Sequence, residues 1–182
     1  MNPPATLIYT RHDATDEQAR QLIIDLYAEV YADRLGEEFY SVPRFAERLK
    51  NHTQPGWEVV IGYSGTQPIG YAYGAPRAAG SNYWSTLDPK PDPDFSLEDG
   101  TRTFVLYELM VTAAWRKTGT ARAIHDELLR LRPEPRVSLA VEHDHDRVRA
   151  LYESWGYKFV GQRVPYPDAP ILDIMIHTER IR

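Results

Sequence analysis

The sequence contains no cysteine. Disulfides, thiolate metal sites and a cysteine nucleophile are therefore excluded together. Long hydrophobic runs are missing as well, since no apolar stretch approaches the ~18 residues that suggest a membrane span. There is no excess of positive charge: 21 Lys and Arg stand against 26 Asp and Glu, for a formal charge of −5. That balance argues against nucleic-acid binding through a broad basic surface, while leaving room for a basic ligand or a local basic pocket. The opening "MNPPATLIYTRHDATDEQ" has no basic segment followed by a long apolar one, so no secretory signal is read and a cytoplasmic location is expected. Asn51-His52-Thr53 has the spacing of a glycosylation sequon, which without such a signal is read as coincidence.

What is present suits an ordinary globular protein. The hydrophobic share is 42% of 182 residues, and one domain over 1–182 is expected, burying about 70% of the surface its unfolded chain exposes. "TLIYTRH" (6–12) reads as a strand. Asp13 to Asp16 offer helix caps, and Ala19, Leu22, Ile23, Leu26, Tyr27 and Val30 recur at helical spacing. A second helix follows Pro43, with Phe45, Ala46 and Leu49 inward. "WEVVIGYSG" and "PIGYAYGAP" flank the turn-rich "SGTQP" as a hairpin. Residues 77–102, with "DPKPDPD", form a long irregular stretch of a length usually reserved for functional or disordered loops.

"TFVLYELMV" (103–111) is the clearest strand. Ile124, Leu128 and Leu131 give the next helix its apolar face, "RVSLAV" is a further strand, and Val148, Leu151, Tyr152 and Trp155 read as a buried stripe stopped by Gly156. "YKFVGQ" and "ILDIMIH" close the chain as strands. The order is that of a mixed α/β layer architecture.

Between the strand ending at Val111 and the helix near Ile124 lies a basic knot, Arg116-Lys117-Thr118-Gly119-Thr120-Ala121. A glycine turn from strand to helix aims free backbone N–H groups outward at the positive end of the helix dipole, which makes an anion site. Gly119 lets the backbone approach a ligand, and Arg116 adds charge-assisted hydrogen bonds to phosphate oxygens. A phosphate-bearing ligand is expected. Neither the Gly-Lys-Ser/Thr ending of the mononucleotide P-loop nor G-x-G-x-x-G is present. A plain turn with an exposed basic pair is the alternative.

A second motif lies in "VEHDHDRVRALYESWGYKFVG", where Tyr152 on a helix precedes Gly156-Tyr157 by four residues. Together the two motifs resemble the GNAT superfamily of acyl-CoA-dependent N-acetyltransferases. Arg116 to Ala121 matches that family's pyrophosphate loop, Arg/Gln-x-x-Gly-x-Gly/Ala. His145, Val148, Tyr152, Gly156 and Tyr157 align with its Asn-x-x-Ala-x-x-x-Tyr-x-x-x-Gly-Phe, with His145 and Val148 departing from the usual asparagine and alanine. The resemblance implies a GNAT-like fold, with a central, mostly antiparallel sheet, a splayed strand pair and helices on both faces. It implies acetyl-CoA as cosubstrate, held by Leu109, Met110, Val111, Arg116, Lys117, Thr118, Gly119, Thr120, Ala121 and His145. The backbone N–H groups of Leu109 to Val111 would hold the thioester oxygen, and Tyr152 carries over as the general acid. Transfer would be to a primary amine of a small molecule, by direct attack in a ternary complex.

The residues add a base. A lysine-like amine with pKa near 10.4 is almost wholly protonated at neutral pH, so proton removal assists attack. Glu108 is the best candidate: strand alternation places it with Phe104, Leu106 and Met110, an odd setting for a lone carboxylate. An ion pair with a neighbouring basic residue is its structural alternative, and His143 and His145 compete for the role. "HDHD" is not read as a metal site. Tyr27, Tyr31 and Tyr83 are noted for an acceptor pocket, because pockets of the resembled family draw on the first helices and the 77–102 loop. A non-catalytic acyl-CoA sensor or scaffold, and a protein or peptide acceptor, are the competing functions. Neither nucleic acid nor membrane is expected as a partner, and a homodimer is left open.

Overall fold

A computed structural model describes residues 6–178. The elements run β1 (Leu7–Asp13), α1 (Glu17–Val30), α2 (Val42–His52), β2 (Glu58–Ser64), β3 (Gln67–Pro76), α3 (Pro93–Ser96), β4 (Thr103–Val111), α4 (Thr120–Leu129), β5 (Arg136–Glu142), α5 (Asp146–Ser154), β6 (Lys158–Arg163) and β7 (Leu172–His177). Short 3₁₀ turns at Glu38–Tyr40 and Ala113–Trp115 lead into α2 and towards α4. The strands form a seven-stranded sheet in the order β1-β2-β3-β4-β5-β7-β6. The β4–β5 pair is parallel, whereas β1–β2, β2–β3, β5–β7 and β6–β7 are antiparallel. No helix among the described residues is long and apolar enough to cross a membrane.

Backbone contacts divide the chain into two compact units, one holding the segments up to Ala75 and Tyr107–Arg132, the other Pro76–Leu106 and Pro133 onward. In the first, Asp16 caps α1 by accepting from the Ala19 N–H, and Ser41 caps α2 by accepting from the Arg44 N–H, as Asp and Ser do at N-termini. Ile23, Leu26 and Tyr27 of α1 and Phe45 and Leu49 of α2 pack on Val59, Ile61, Tyr71, Tyr73 and Met110. The opposite face of β2 carries α4: a Cβ placed on Gly62 would stand 3.0 Å from the Ile124 Cδ1. Arg11 of β1 reaches the carbonyl oxygens of Glu127 and Leu128, placing a cation on the negative end of α4.

The alternation of β4 breaks inside this unit. Tyr107 packs against the same core in which Met110 is buried, although residues three apart in a regular strand face opposite ways. The far end of β4 is fixed by the Thr112 N–H, which donates to the Ile69 carbonyl at 2.9 Å.

In the second unit β4 meets β5 through only three registered pairs, Thr103–Arg136, Phe104–Val137 and Val105–Ser138. β5 continues along β7 to Glu142–Leu172. The 77–102 stretch is anchored by a buried polar cluster. One oxygen of Glu98 accepts from the Trp84 indole N–H at 2.6 Å, the Thr103 hydroxyl at 2.7 Å and the Arg136 guanidinium at 2.8 Å. Trp84 is fully buried and Glu98 is 3% exposed, so the stretch is a packed loop with its own short helix rather than a solvated one.

Two helix faces differ from the expectation. Leu131 lies past the end of α4 and is 59% exposed, leaving Ile124, His125, Leu128 and Leu129 as the inner face. On α5 only Tyr152 is buried, and Leu151 is 43% exposed. The helix is nine residues long, so it turns a narrow stripe inward.

Candidate functional site

The knot between β4 and α4 is an exposed loop with two left-handed residues, Lys117 at φ 63° and Gly119 at φ 87°. Gly119 is the N-cap of α4 and no side chain caps the helix there. The N–H groups of Thr120, Ala121 and Arg122 precede the first intrahelical bond, from the Ala123 N–H to the Gly119 carbonyl, and are the donors that a helix start leaves over. Thr118 braces the turn, donating to the Trp115 carbonyl at 2.7 Å and standing 2.8 Å from the Thr120 hydroxyl. A Cβ at Gly119 would meet nothing within 4 Å. The glycine is thus needed for its angle, and the space above it is open. A non-glycine residue at positive φ is strained and tends to occur at ligand sites. The exposed Arg116 and Lys117 lie at the start of the turn. These features fit an anionic diphosphate.

Just before the loop, the register with β3 sorts the expected oxyanion donors. Since Thr112 bonds to Ile69, the backbone N–H groups of residues 112 and 110 point to β3, and those of Leu109 and Val111 point away from it. On that other side the β5 ladder ends at Val105. Leu109 and Val111 therefore direct N–H groups off the β3 ladder. Met110 does not: it is 8% exposed, its side chain lies in the core and its backbone is pressed against Gly70, where a Cβ would clash.

The Glu108 carboxylate lies near the tyrosines on the face covered by α1 and α2. Its charge is felt there. The Tyr27 phenol is pushed up to about 12, by burial first and the Glu108 carboxylate second, with Arg48 opposing. Tyr71 and Tyr73 are raised well above the usual phenol value by the same two causes in the same order. All three phenols are neutral around one partly exposed carboxylate. Tyr27 is stacked on Phe45 at 3.8 Å, and its hydroxyl accepts from Arg48 at 3.4 Å. Tyr31 is half-buried beside Tyr27, 4.6 Å between centroids. His52 lies flat on Tyr107 at 3.8 Å and its Nδ1 stands 3.2 Å from the Tyr73 hydroxyl.

Tyr152 belongs to the second unit. Its ring is 8% exposed and meets Trp155 and Tyr157 edge-on at 5.2 and 5.6 Å. His145 is the exposed N-cap of α5, and its side chain makes no capping bond. His143 is held differently: its Nδ1 lies 2.9 Å from Oδ1 of the buried Asp173, which also accepts from Gln162 at 2.9 Å and Arg149 at 2.7 Å. Tyr83 is taken up by packing, 7% exposed, with its hydroxyl 3.2 Å from Ser138 and Arg163 4.3 Å above its ring. A cavity of about 270 Å³ opens among Ser81, Asn82, Trp84, Ser85, Lys90 and Ser96. Among the described residues no group of three or more His, Asp or Glu side chains is placed to hold a metal ion.

No family model and no curated protein matches the sequence. Solved structures do. A Desulfovibrio desulfuricans protein assigned to the GNAT family of acetyltransferases superposes with a TM-score of 0.63 at 17% identity, covering 95% of this chain and 99% of that one. An aminoglycoside 6'-acetyltransferase type Ii superposes at 0.62, 18% identical over 94% and 96% of the two chains. The ribosomal-protein-S18-alanine N-acetyltransferase from Escherichia coli does so at 0.61, 14% identical over 96% and 94%. The chain has the GNAT acetyltransferase fold. Within it, Arg116–Ala121 forms the turn into α4 and Tyr152 sits on α5. Tyr71, Tyr73, His52 and Asp173 were not singled out from sequence. The alternation in "YAY" already sets Tyr71 and Tyr73 on one face, whereas the approach of His52 and Asp173 depends on tertiary contacts.

Proposed function

We propose that the chain is an acetyl-CoA-dependent N-acetyltransferase that acts on a primary amine of a small molecule. The observation that carries the reading is the uncapped start of α4, with Lys117 and Gly119 in left-handed conformations, directly after β4 in a GNAT fold. In this reading Arg116 and the N–H groups from Lys117 to Ala121 bind the diphosphate of acetyl-CoA. The N–H groups of Leu109 and Val111 hold the thioester oxygen as it gains charge, a contribution that is often large when donors are fixed beforehand. His145 occupies the position of a further cofactor contact.

Transfer is direct, in a ternary complex. Glu108 takes a proton from the acceptor ammonium. The freed nitrogen lone pair forms a C–N bond to the acetyl carbon, the C–S bond breaks, and the departing thiolate takes the Tyr152 hydroxyl proton. The phenol is restored from the proton lost by the nitrogen, so one proton per turnover passes to solvent. Neutral phenols around Glu108 add no negative charge to its own and leave lone pairs beside it, which suits capture of a cation. The same fold serves an aminoglycoside acetyltransferase and an alanine N-acetyltransferase of a ribosomal protein, so acceptor size is decided by side chains and not by architecture.

The test is thiol release from acetyl-CoA against a panel of polyamines, aminoglycosides, amino acids and peptides, alongside calorimetric binding of acetyl-CoA. Turnover with a small amine is expected. Tight binding without turnover on any acceptor would make the chain an acyl-CoA sensor, and turnover confined to peptides would move the acceptor to proteins.

A further inference from the structure

Tyr71 is fully buried, and its hydroxyl has no hydrogen-bond partner. Its two neighbours on the same face do better: Tyr73 is met by His52 and Tyr27 by Arg48. A buried hydroxyl left unpaired costs stability and brings the unliganded chain nothing in return. Such an orphan calls for an explanation, and its surroundings supply one. Two residues apart on β3, Tyr71 and Tyr73 share a face, their rings 6.2 Å apart and nearly parallel. Glu108 stands on the neighbouring strand β4, two residues before Met110, which packs in the same core as Tyr71, and its carboxylate is the strongest charge acting on both phenols.

We propose that the Tyr71 hydroxyl is the second ligand of the acceptor's ammonium group, beside the Glu108 carboxylate, and that the acceptor carries a single cationic group. The inference rests on the acetyltransferase reading and deepens it. An ammonium has three N–H donors, and a carboxylate and a phenol oxygen accept two of them with only one negative charge between them. Burial and Glu108 both hold the Tyr71 phenol protonated, so it contributes lone pairs without adding charge. The other charged groups acting on this phenol cluster are cations, Arg48 on Tyr27 and Tyr73 and Arg34 on Tyr27. Arg48 is itself 5% exposed, bonded to the Phe39 carbonyl at 2.5 Å and 4.2 Å over the Phe39 ring. Arg34 is already paired with Glu37 at 3.0 Å, but among the described residues no carboxylate is paired with Arg48, so a second ammonium would face that guanidinium.

The experiment compares n-butylamine with 1,4-diaminobutane, which share a four-carbon body, and the parent chain with Tyr71→Phe. In the parent chain kcat/KM for n-butylamine should exceed that for the diamine at least about 10-fold, although the diamine offers two reacting ends. Tyr71→Phe keeps the ring and removes the orphan, so its Tm should stay or rise while acetyl-CoA affinity is unchanged. KM for n-butylamine should rise about 10-fold or more, the scale of a lost hydrogen bond to a charged group. An unchanged KM in the folded variant overturns the assignment of Tyr71. A diamine turned over as well as the monoamine overturns the single-cation class, and that arm needs no variant. Absence of thiol release from the parent chain with every amine overturns the transferase reading, and this inference falls with it.

Discussion

Lys117 and Gly119 both hold left-handed backbone angles, φ 63° and 87°, with Thr118 alone between them. The pair turns the chain so that α4 starts without a side-chain cap, and Thr118 ties the turn shut through the Trp115 carbonyl. Strain of this kind is kept where the surroundings over-determine it.

Alanine at 119 would meet no atom within 4 Å, so Gly119→Ala should cost only the backbone penalty, about 1–2 kcal/mol in thermal or chemical melts. Gly119→Asp suits the angle better but places a negative charge where a diphosphate is proposed. Calorimetry should show acetyl-CoA binding greatly weakened in the Asp variant. Equal affinity in a folded Asp variant would remove the phosphates from this turn.

Tyr152→Phe leaves the edge-on contacts with Trp155 and Tyr157 in place. Stability and acetyl-CoA affinity should survive. Loss of a general acid typically costs about 10²–10⁴-fold, so kcat should fall within that range. A variant as fast as its parent in single-turnover chemistry would leave Tyr152 a packing residue.

Glu108→Gln preserves size and removes both charge and basicity. If Glu108 is the base, the rate of the variant recovers as pH approaches the amine's own pKa, where deprotonation is free. The phenols provide a second readout that does not depend on turnover. Tyr27 ionises near pH 12 because of burial and then Glu108, so removing the carboxylate's charge should lower its titration midpoint, still above the ordinary value because burial remains. The ring carbon resonance of Tyr27 in a tyrosine-labelled chain, assigned by Tyr27→Phe, follows it. An unmoved midpoint would separate Glu108 from the tyrosine cluster.

Asp173 is held below the usual carboxylate range: burial acts to raise its pKa, but hydrogen bonds from His143, Gln162 and Arg149, with the charge of His143, together outweigh it. A depressed folded value means stability that is fully present above the unfolded pKa of about 3.9 and lost as pH falls through the folded one. Asp173→Asn should therefore cost roughly 1–3 kcal/mol at pH 7, moderated because Arg149 is 31% exposed. The gap should shrink below about pH 4. Melts of both chains from neutral to acid pH check it, and a gap independent of pH would mean shape and not charge holds Asp173.

Much of this fold could be read from local pattern because local pattern drives it. Asp16 and Ser41 cap where their side chains can reach back, the hairpin turns at its glycine, and "TFVLYELMV" is a strand. The turn at 116–121 was legible for the same reason, since glycine at positive φ is a local demand. Alternation misled in β4, where Tyr107 and Met110 share one core, which no period of two allows. The Thr112–Ile69 bond, a tertiary contact, decides which of Leu109, Met110 and Val111 faces away from β3. The pairing of His143 with Asp173, thirty residues away, depends on β7 and left no local trace. The 77–102 stretch looked irregular because its order is supplied from β5 by Arg136.

That last anchoring makes four positions one heritable unit. Glu98 serves Trp84, Thr103 and Arg136 through a single oxygen, so the loss of any donor weakens the hold on the other two, and the loss of Glu98 strands a buried guanidinium. Single steps through such a set pass through a poorly folded chain. Among descendants of this sequence, the four residues should be kept together or replaced together, and a long loop with no obvious secondary structure should be among the slowest parts of the chain to change length.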